Sequence, residues 1–240
     1  MLNILIVTLS FNLMAYLLLR LRPRLFHTQL FKPMLLNIRL SLAPLLILVL
    51  VVIGELVVAY LIALANVVWL SYLVPILAVI GVIVWLLFLP NSGYLVTELN
   101  LTHREMDTHE VPIWYDIIAV LFLALSGVIN MCLNVLLFQF VIILAIDPTH
   151  LSSLNNPVFW GFTILLFFVL AFGIYMGRYI RFNSWDLLHP LSFLKKLADH
   201  FSAKANLLAG SLFTLLYGGF FALFYQFAFL PPLLTFMTKK

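Results

Sequence analysis

Three short stretches carry most of the side chains in this chain that could hold an ion or move a proton. The first, Leu89–Leu99, contains Asn91, Tyr94, Thr97 and Glu98; the second, Val111–Asp116, ends in Tyr115 and Asp116; the third, Gly177–Asp186, contains Arg178, Arg181, Asn183 and Asp186. Carboxylates can act as general acids, general bases or cation partners. Arginine's planar guanidinium matches a carboxylate or a phosphate through two parallel hydrogen bonds. Together these residue types suit a protein that binds or moves a small anionic or lipid-derived ligand. They also suit a membrane enzyme acting on a lipid or isoprenoid phosphate, with Asp116 or Glu98 as base and the arginines on phosphate. A third reading is an accessory or scaffold membrane subunit whose arginines are all paired internally.

Cofactor and metal signatures do not add to this set. The segment His103–Glu110 offers His103, Glu105, Asp107, His109 and Glu110. It lacks zinc spacing such as His-Glu-x-x-His and reads as a solvated acidic loop. Neither a Walker loop, nor a dinucleotide fingerprint, nor a Gly-x-Ser-x-Gly elbow occurs, so no cofactor and no metal is expected. The lone Cys132 cannot form an intramolecular disulfide and lies in an apolar run, as a small core residue would.

The elements that must position these groups follow from composition. Of 240 residues, 65% are hydrophobic and 9% charged, whereas a soluble domain is about 25% charged. So few charges cannot clothe a soluble globule, which excludes a soluble enzyme, a disordered chain and a nucleic-acid-binding domain. A hydrocarbon core needs roughly 20 helical residues. Six runs qualify: Leu2–Leu19, Leu40–Leu64, Val67–Leu89, Ile113–Gln139, Val158–Ile180 and Leu207–Leu230. They are longer than barrel strands and do not alternate. The expected fold is therefore all-α, a polytopic bundle of about six transmembrane helices forming a single integral membrane domain over residues 1–240. Asn66 is the polar punctuation between the second and third spans. The first run has Arg20, Arg22 and Arg24 after it and no positive residue before it, so it reads as an anchor rather than a cleaved signal.

Charge sets the orientation. The connections Arg20–Arg39, Pro90–Pro112 and Arg178–Asn206 hold eleven Lys and Arg, against two, Lys239 and Lys240, on the other side. The positive-inside rule then puts both termini outside and all three polar stretches at the cytoplasmic end. The basic flanks make the bilayer and its anionic headgroups the expected partners, not nucleic acid. Pro190–Leu208, with Leu194, Leu197, Phe201 and Leu208 at helical spacing, is expected as a basic amphipathic helix on the membrane surface, and Arg24–Asn37 as a weaker one.

Local chemistry refines the picture. Pro90 and Gly93 are expected to break the third helix at the membrane boundary. Asp116 lies one turn past Pro112, where the helix dipole favours a negative charge. Arg178 and Arg181 are three apart, so a regular helix puts them on one face, and one of them is expected to pair with Asp116, Glu98 or Asp186. Asn183 or Ser184 is a candidate helix cap. Ser126, Asn130 and Asn134 line one face of the fourth helix, as interhelical glue or a polar path. Glu55 sits inside the second run, either as a functional intramembrane carboxylate or as an interfacial one. Gly173 with Gly177, and Gly210, Thr214 and Gly218, form small-residue packing faces.

The stretches FLPNSGYLVTEL, VPIWYD and GRYIRFNSWDLL, in this order, resemble a family of bacterial integral membrane proteins known as domain of unknown function 1361. The resemblance spans roughly residues 35 to 230. The family pattern reads Pro-Asn-Ala-Pro-Tyr followed by Thr-Asp, and here Ser92, Gly93 and Glu98 stand at the changed positions. A histidine that often follows is replaced by Leu101. The resemblance implies a multi-pass protein of the bacterial cytoplasmic membrane, without an assigned activity.

Overall fold

The computed structural model describes residues 2–66, 68–100, 111–146, 157–182, 189–231 and 234–235. Every element among them is helical: α1 (Leu2–Phe26), α2 (Lys32–Ala65), α3 (Leu73–Phe88), α4 (Pro90–Gly93), α5 (Ile113–Ile146), α6 (Pro157–Tyr175), α7 (Pro190–Phe201) and α8 (Lys204–Ala228). Short 3-10 turns cover Val68–Tyr72 and Tyr94–Asn100, and a π turn covers Met176–Ile180. Among the described residues, six stretches are long and apolar enough to cross a membrane: Leu2–Phe26, Lys32–Ala65, Trp69–Leu99, Ile113–Ala145, Pro157–Ile180 and Lys204–Ala228. Six membrane-length helices fit the sequence expectation.

Lipid is as apolar as leucine, so helices here assemble through packing and hydrogen bonds rather than water exclusion. The centre is α5. Its residues Ser126 to Leu136 are all buried, and they pack with Trp85, Leu89, Phe167, Ile174, Phe221 and Tyr225 in the main core. On α1 the buried stripe is Thr8, Ala15, Leu19 and Arg22, a helical period facing Met34 and Ile38 of α2 and Val120 and Leu123 of α5. Burial on α2 stops at Leu48, and on α3 only Trp85 is buried. Beyond those points the two helices form a hairpin that faces outward. Asn66 turns it, taking a left-handed conformation (φ 54°) with its N–H donating to the Ala63 carbonyl at 3.3 Å.

Three local expectations are corrected. First, Pro90 and Gly93 do not break the third span. Leu89 keeps helical angles (φ −59°, ψ −36°), and the chain runs on through α4 into the 3-10 turn at Tyr94–Asn100. Proline's φ suits a first helical turn, so Pro90 starts α4 as readily as it would stop α3. The continuation lies against α5 and α6 at two glycines. A Cβ on Gly127 would fall 2.8 Å from the Ser92 carbonyl oxygen, and one on Gly173 would fall 2.7 Å from Pro90. Second, no separate helix forms at Arg24–Asn37: α1 runs to Phe26 and α2 starts at Lys32 with Pro33 in its first turn. Third, the amphipathic helix α7 starts at Pro190 but ends at Phe201, so Leu208 belongs to α8.

The end of α6 departs from regular winding. After Tyr175 the helix widens into the π turn, and Arg181 closes it in a left-handed conformation (φ 59°). There the Phe182 N–H donates to the Met176 carbonyl at 3.3 Å. The wider turn cancels the regular spacing that would align Arg178 with Arg181, and Arg181 is exposed.

Candidate functional site

The polar residues of the charged end form two hubs instead of one. In the first, Arg22 of α1 grips Asp116 of α5 with both ends of its fork: Nε to Oδ1 at 2.8 Å and Nη2 to Oδ2 at 3.3 Å. The side chains are 6% and 0% exposed. Arg22 Nη1 also donates to Thr28 at 3.3 Å, and the neighbouring Tyr115 hydroxyl donates to the Leu18 carbonyl at 2.8 Å. Asp116 is thus paired with an arginine, but not with Arg178 or Arg181 as expected. The reason is α1. Its buried stripe carries Arg22 onto α5 in the same register as Ala15 and Leu19.

The second hub joins α2, the 3-10 turn after α4 and the π turn after α6. Asn37 Nδ2 donates to Glu98 Oε1 at 3.1 Å. Arg178 Nη1 lies 3.6 Å from the same oxygen, and it donates to the Tyr94 hydroxyl at 3.4 Å with the guanidinium 5.9 Å from the ring centre. Thr97 is spent locally, donating to the Tyr94 carbonyl at 2.8 Å. Asn91 is half-buried, and among the described residues its side chain has no hydrogen-bond partner. Of the predicted candidates, then, Tyr94, Glu98 and Arg178 come together, with Asn91 on the same wall. Tyr115 and Asp116 belong to the other hub, Arg181 stands apart and exposed, and Asn183 and Asp186 lie outside the described residues.

Beside the second hub runs a cleft of about 380 Å³, walled by α3, α4 and α6, with Leu40 of α2, Tyr94, Phe182 and Phe193 of α7 completing its lining. Leu86, Leu87, Val169 and Phe172 make most of it apolar. A smaller hollow with Asn37, Asn91, Tyr94, Gly177 and Phe182 on its walls continues its polar end. Leu40, Leu87 and Val169 on its walls are exposed. Lys196 of α7 lies 5.8 Å from the ring centre of Phe182, a residue of the lining. Tyr175 holds α7 in place through His200 at 3.0 Å.

Deeper in the bundle most polar side chains find partners, although the buried Thr214 hydroxyl has none among the described residues. Asn12 and Asn130 exchange two hydrogen bonds of 2.7 and 3.0 Å, and Asn130 also donates to Ser41 at 2.9 Å. Ser41 and Ser92 exchange bonds with each other's carbonyls at 3.0 and 2.8 Å. Trp85 donates to Asn134 at 3.1 Å, Gln139 to Thr163 at 2.8 Å, and the Tyr225 hydroxyl to Gln139. Ser126 turns back on the Leu123 carbonyl at 2.7 Å. These bonds link α1, α2, α3, α4, α5, α6 and α8. Glu55 lies on the outward hairpin, partly exposed.

Sequence reasoning missed Arg22, Asn12, Asn37 and Ser41. A signal existed for Arg22: of the three arginines after the first run, only it continues the helical stripe through Ala15 and Leu19. Asn37 and Ser41, four apart on α2, give a similar one.

The sequence profile of a family described as a protein of unknown function (DUF1361) matches residues 36–218. The chain belongs to this family. No curated protein and no solved structure matches it. The matched DUF1361 region contains the cleft and the whole second hub. It stops short of α1, which supplies Arg22 and Asn12.

Proposed function

We propose that this DUF1361 protein, one integral membrane domain, binds a lipid-derived ligand with an anionic head in the cleft between α3–α4 and α6. The observation that carries the reading is the pairing of an apolar cleft wall, with exposed side chains on membrane-length helices, and a polar end. There the Asn91 amide lacks a described partner, and Arg178 and Lys196 lie against Tyr94 and Phe182, two residues of the lining. An acyl or isoprenoid chain fits the first part, and a phosphate or carboxylate head fits the second. Retention favours binding over passage, because Asn130 and Asn134 spend their side chains on protein partners. Binding is likewise favoured over catalysis, because Asp116 is closed against Arg22.

Gly177 offers the test. It lines the cleft, and a Cβ there would meet nothing closer than Tyr94 at 3.8 Å. Gly177→Leu therefore fills the cleft without forcing the backbone. Native mass spectrometry of the purified protein is expected to show a bound lipid in the parent and its loss in Gly177→Leu at unchanged thermal midpoint. Equal lipid occupancy in both would refute the reading. The Lys and Arg bias supports a cytoplasmic setting for this end in a bacterial plasma membrane. A reporter fused after Lys240 should then signal from outside, and a cytoplasmic signal would reverse the orientation.

A further inference from the structure

Resting on the cleft reading, a further role emerges from how weakly Arg178 is held. A committed charge-assisted hydrogen bond runs about 2.7–2.9 Å. Arg178 lies 3.6 Å from Glu98 Oε1, 3.4 Å from the Tyr94 hydroxyl and 5.9 Å from the Tyr94 ring centre. Its side chain is 24% exposed, while that of Glu98 is 6% exposed. The firm contact of Glu98 is the 3.1 Å bond from Asn37. Arg178 also rises from the π turn, next to Gly177 and against Tyr94, both of which line the cleft. The guanidinium thus reaches both the resident carboxylate and Tyr94, a residue of the wall where an anionic head would lie.

We propose that Glu98 is the resident rival of the ligand's anionic head for Arg178, and so sets the affinity and headgroup preference of the cleft. Without ligand, Glu98 neutralises Arg178. With ligand, Arg178 turns through the short gap towards the head, and Glu98 keeps the Asn37 bond. Loss of half its neutralisation in a buried place makes this exchange costly. Removing the carboxylate's charge while keeping its shape therefore strengthens binding. A residue that formed the site directly would do the reverse. Gln is the apt replacement, because its amide oxygen still accepts from Asn37.

The experiment uses the full chain in a neutral detergent, titrated with oleoyl lysophosphatidate and with its uncharged counterpart mono-oleoylglycerol, and read by native mass spectrometry. Glu98→Gln is expected to tighten the phosphate amphiphile by about tenfold, equal to about 1.4 kcal/mol, and to leave the glycerol one unchanged. Arg178→Gln should lose the preference for phosphate, and adding Glu98→Gln to it should bring no gain. Should Glu98→Gln fail to fold, Glu98→Asp draws the charge back by one methylene and should give a smaller gain of the same sign. Unchanged or weaker phosphate binding in the Glu98 variant overturns the proposal while the cleft reading stands. Failure of both amphiphiles to bind any form removes the cleft reading and this inference with it.

Discussion

The two arginine–carboxylate hubs are built from the same chemistry and differ in how they are closed. Arg22 and Asp116 meet at 2.8 Å with almost no exposure, whereas Arg178 and Glu98 stand 3.6 Å apart beside an open cleft. The first pair buries both charges, so each depends on the other. The second leaves its cation partly solvated and uncommitted. Position along the helices produces the difference. Arg22 lies on the buried stripe of a regular helix, and Arg178 lies where a helix loosens into a π turn, a feature frequent at functional sites. An ion pair read from residue types alone says nothing of which kind it is; its burial and its neighbours decide.

The sharpest way to break this contrast is to remove one member of the closed pair. Arg22→Gln or Asp116→Asn should each cost about 3–5 kcal/mol, because each removes half of a buried ion pair. The double variant should lose less than the sum of the singles in thermal unfolding in detergent. Additive losses would mean that the pair is not coupled. Next in size is Asn130→Ala, which removes two bonds from Asn12 and one from Ser41 and should cost about 1–3 kcal/mol. Its thermal midpoint should fall well below that of the parent without loss of helical circular dichroism.

The open hub should respond less. Arg178→Gln is expected to cost about 1–2 kcal/mol of stability, because the buried Glu98 carboxylate keeps its Asn37 bond but loses its cation, while lipid binding suffers. A stability loss as large as that of Arg22→Gln would erase the distinction between the hubs. The smallest effect belongs to Arg181, whose left-handed backbone (φ 59°) is the conformation glycine adopts freely. Arg181→Gly should raise stability by about 0.5 kcal/mol, part of the left-handed penalty being offset by glycine's entropy. A fall in the thermal midpoint would show that the exposed side chain makes a contact worth more than the strain.

How much of this was legible in the residues follows from the range of the interactions. The spans could be read because hydrocarbon thickness acts on each run separately. Asn66 as the turn between the second and third could be read too, because a left-handed cap is a local device suited to asparagine. The grouping of Tyr94, Glu98 and Arg178 at one end followed from topology alone. The partner of Asp116 did not, because Arg22 sits 94 residues away and reaches it only through the packing of α1 on α5. Nor did the path beyond Pro90, where tertiary packing against Gly127 and Gly173 holds a helical course that local propensity would end. The π turn was equally hidden. Three-residue spacing aligned Arg178 and Arg181 only on the assumption of regular winding.

The burial of α5 has a consequence for how the chain is made. Membrane helices emerge from the ribosome in order, and α5 is the fourth of the six spans. When it emerges, the partners of its first polar turns are already in the bilayer: Arg22 and Asn12 on α1, Ser41 on α2 and Trp85 on α3. Gln139, near its far end, must wait for Thr163 on α6 and Tyr225 on α8, which are synthesised later. The half-made protein therefore holds a central helix anchored at one end and unsatisfied at the other. Interrupted synthesis after α5 should leave an intermediate in which the Gln139 amide lacks both of these partners.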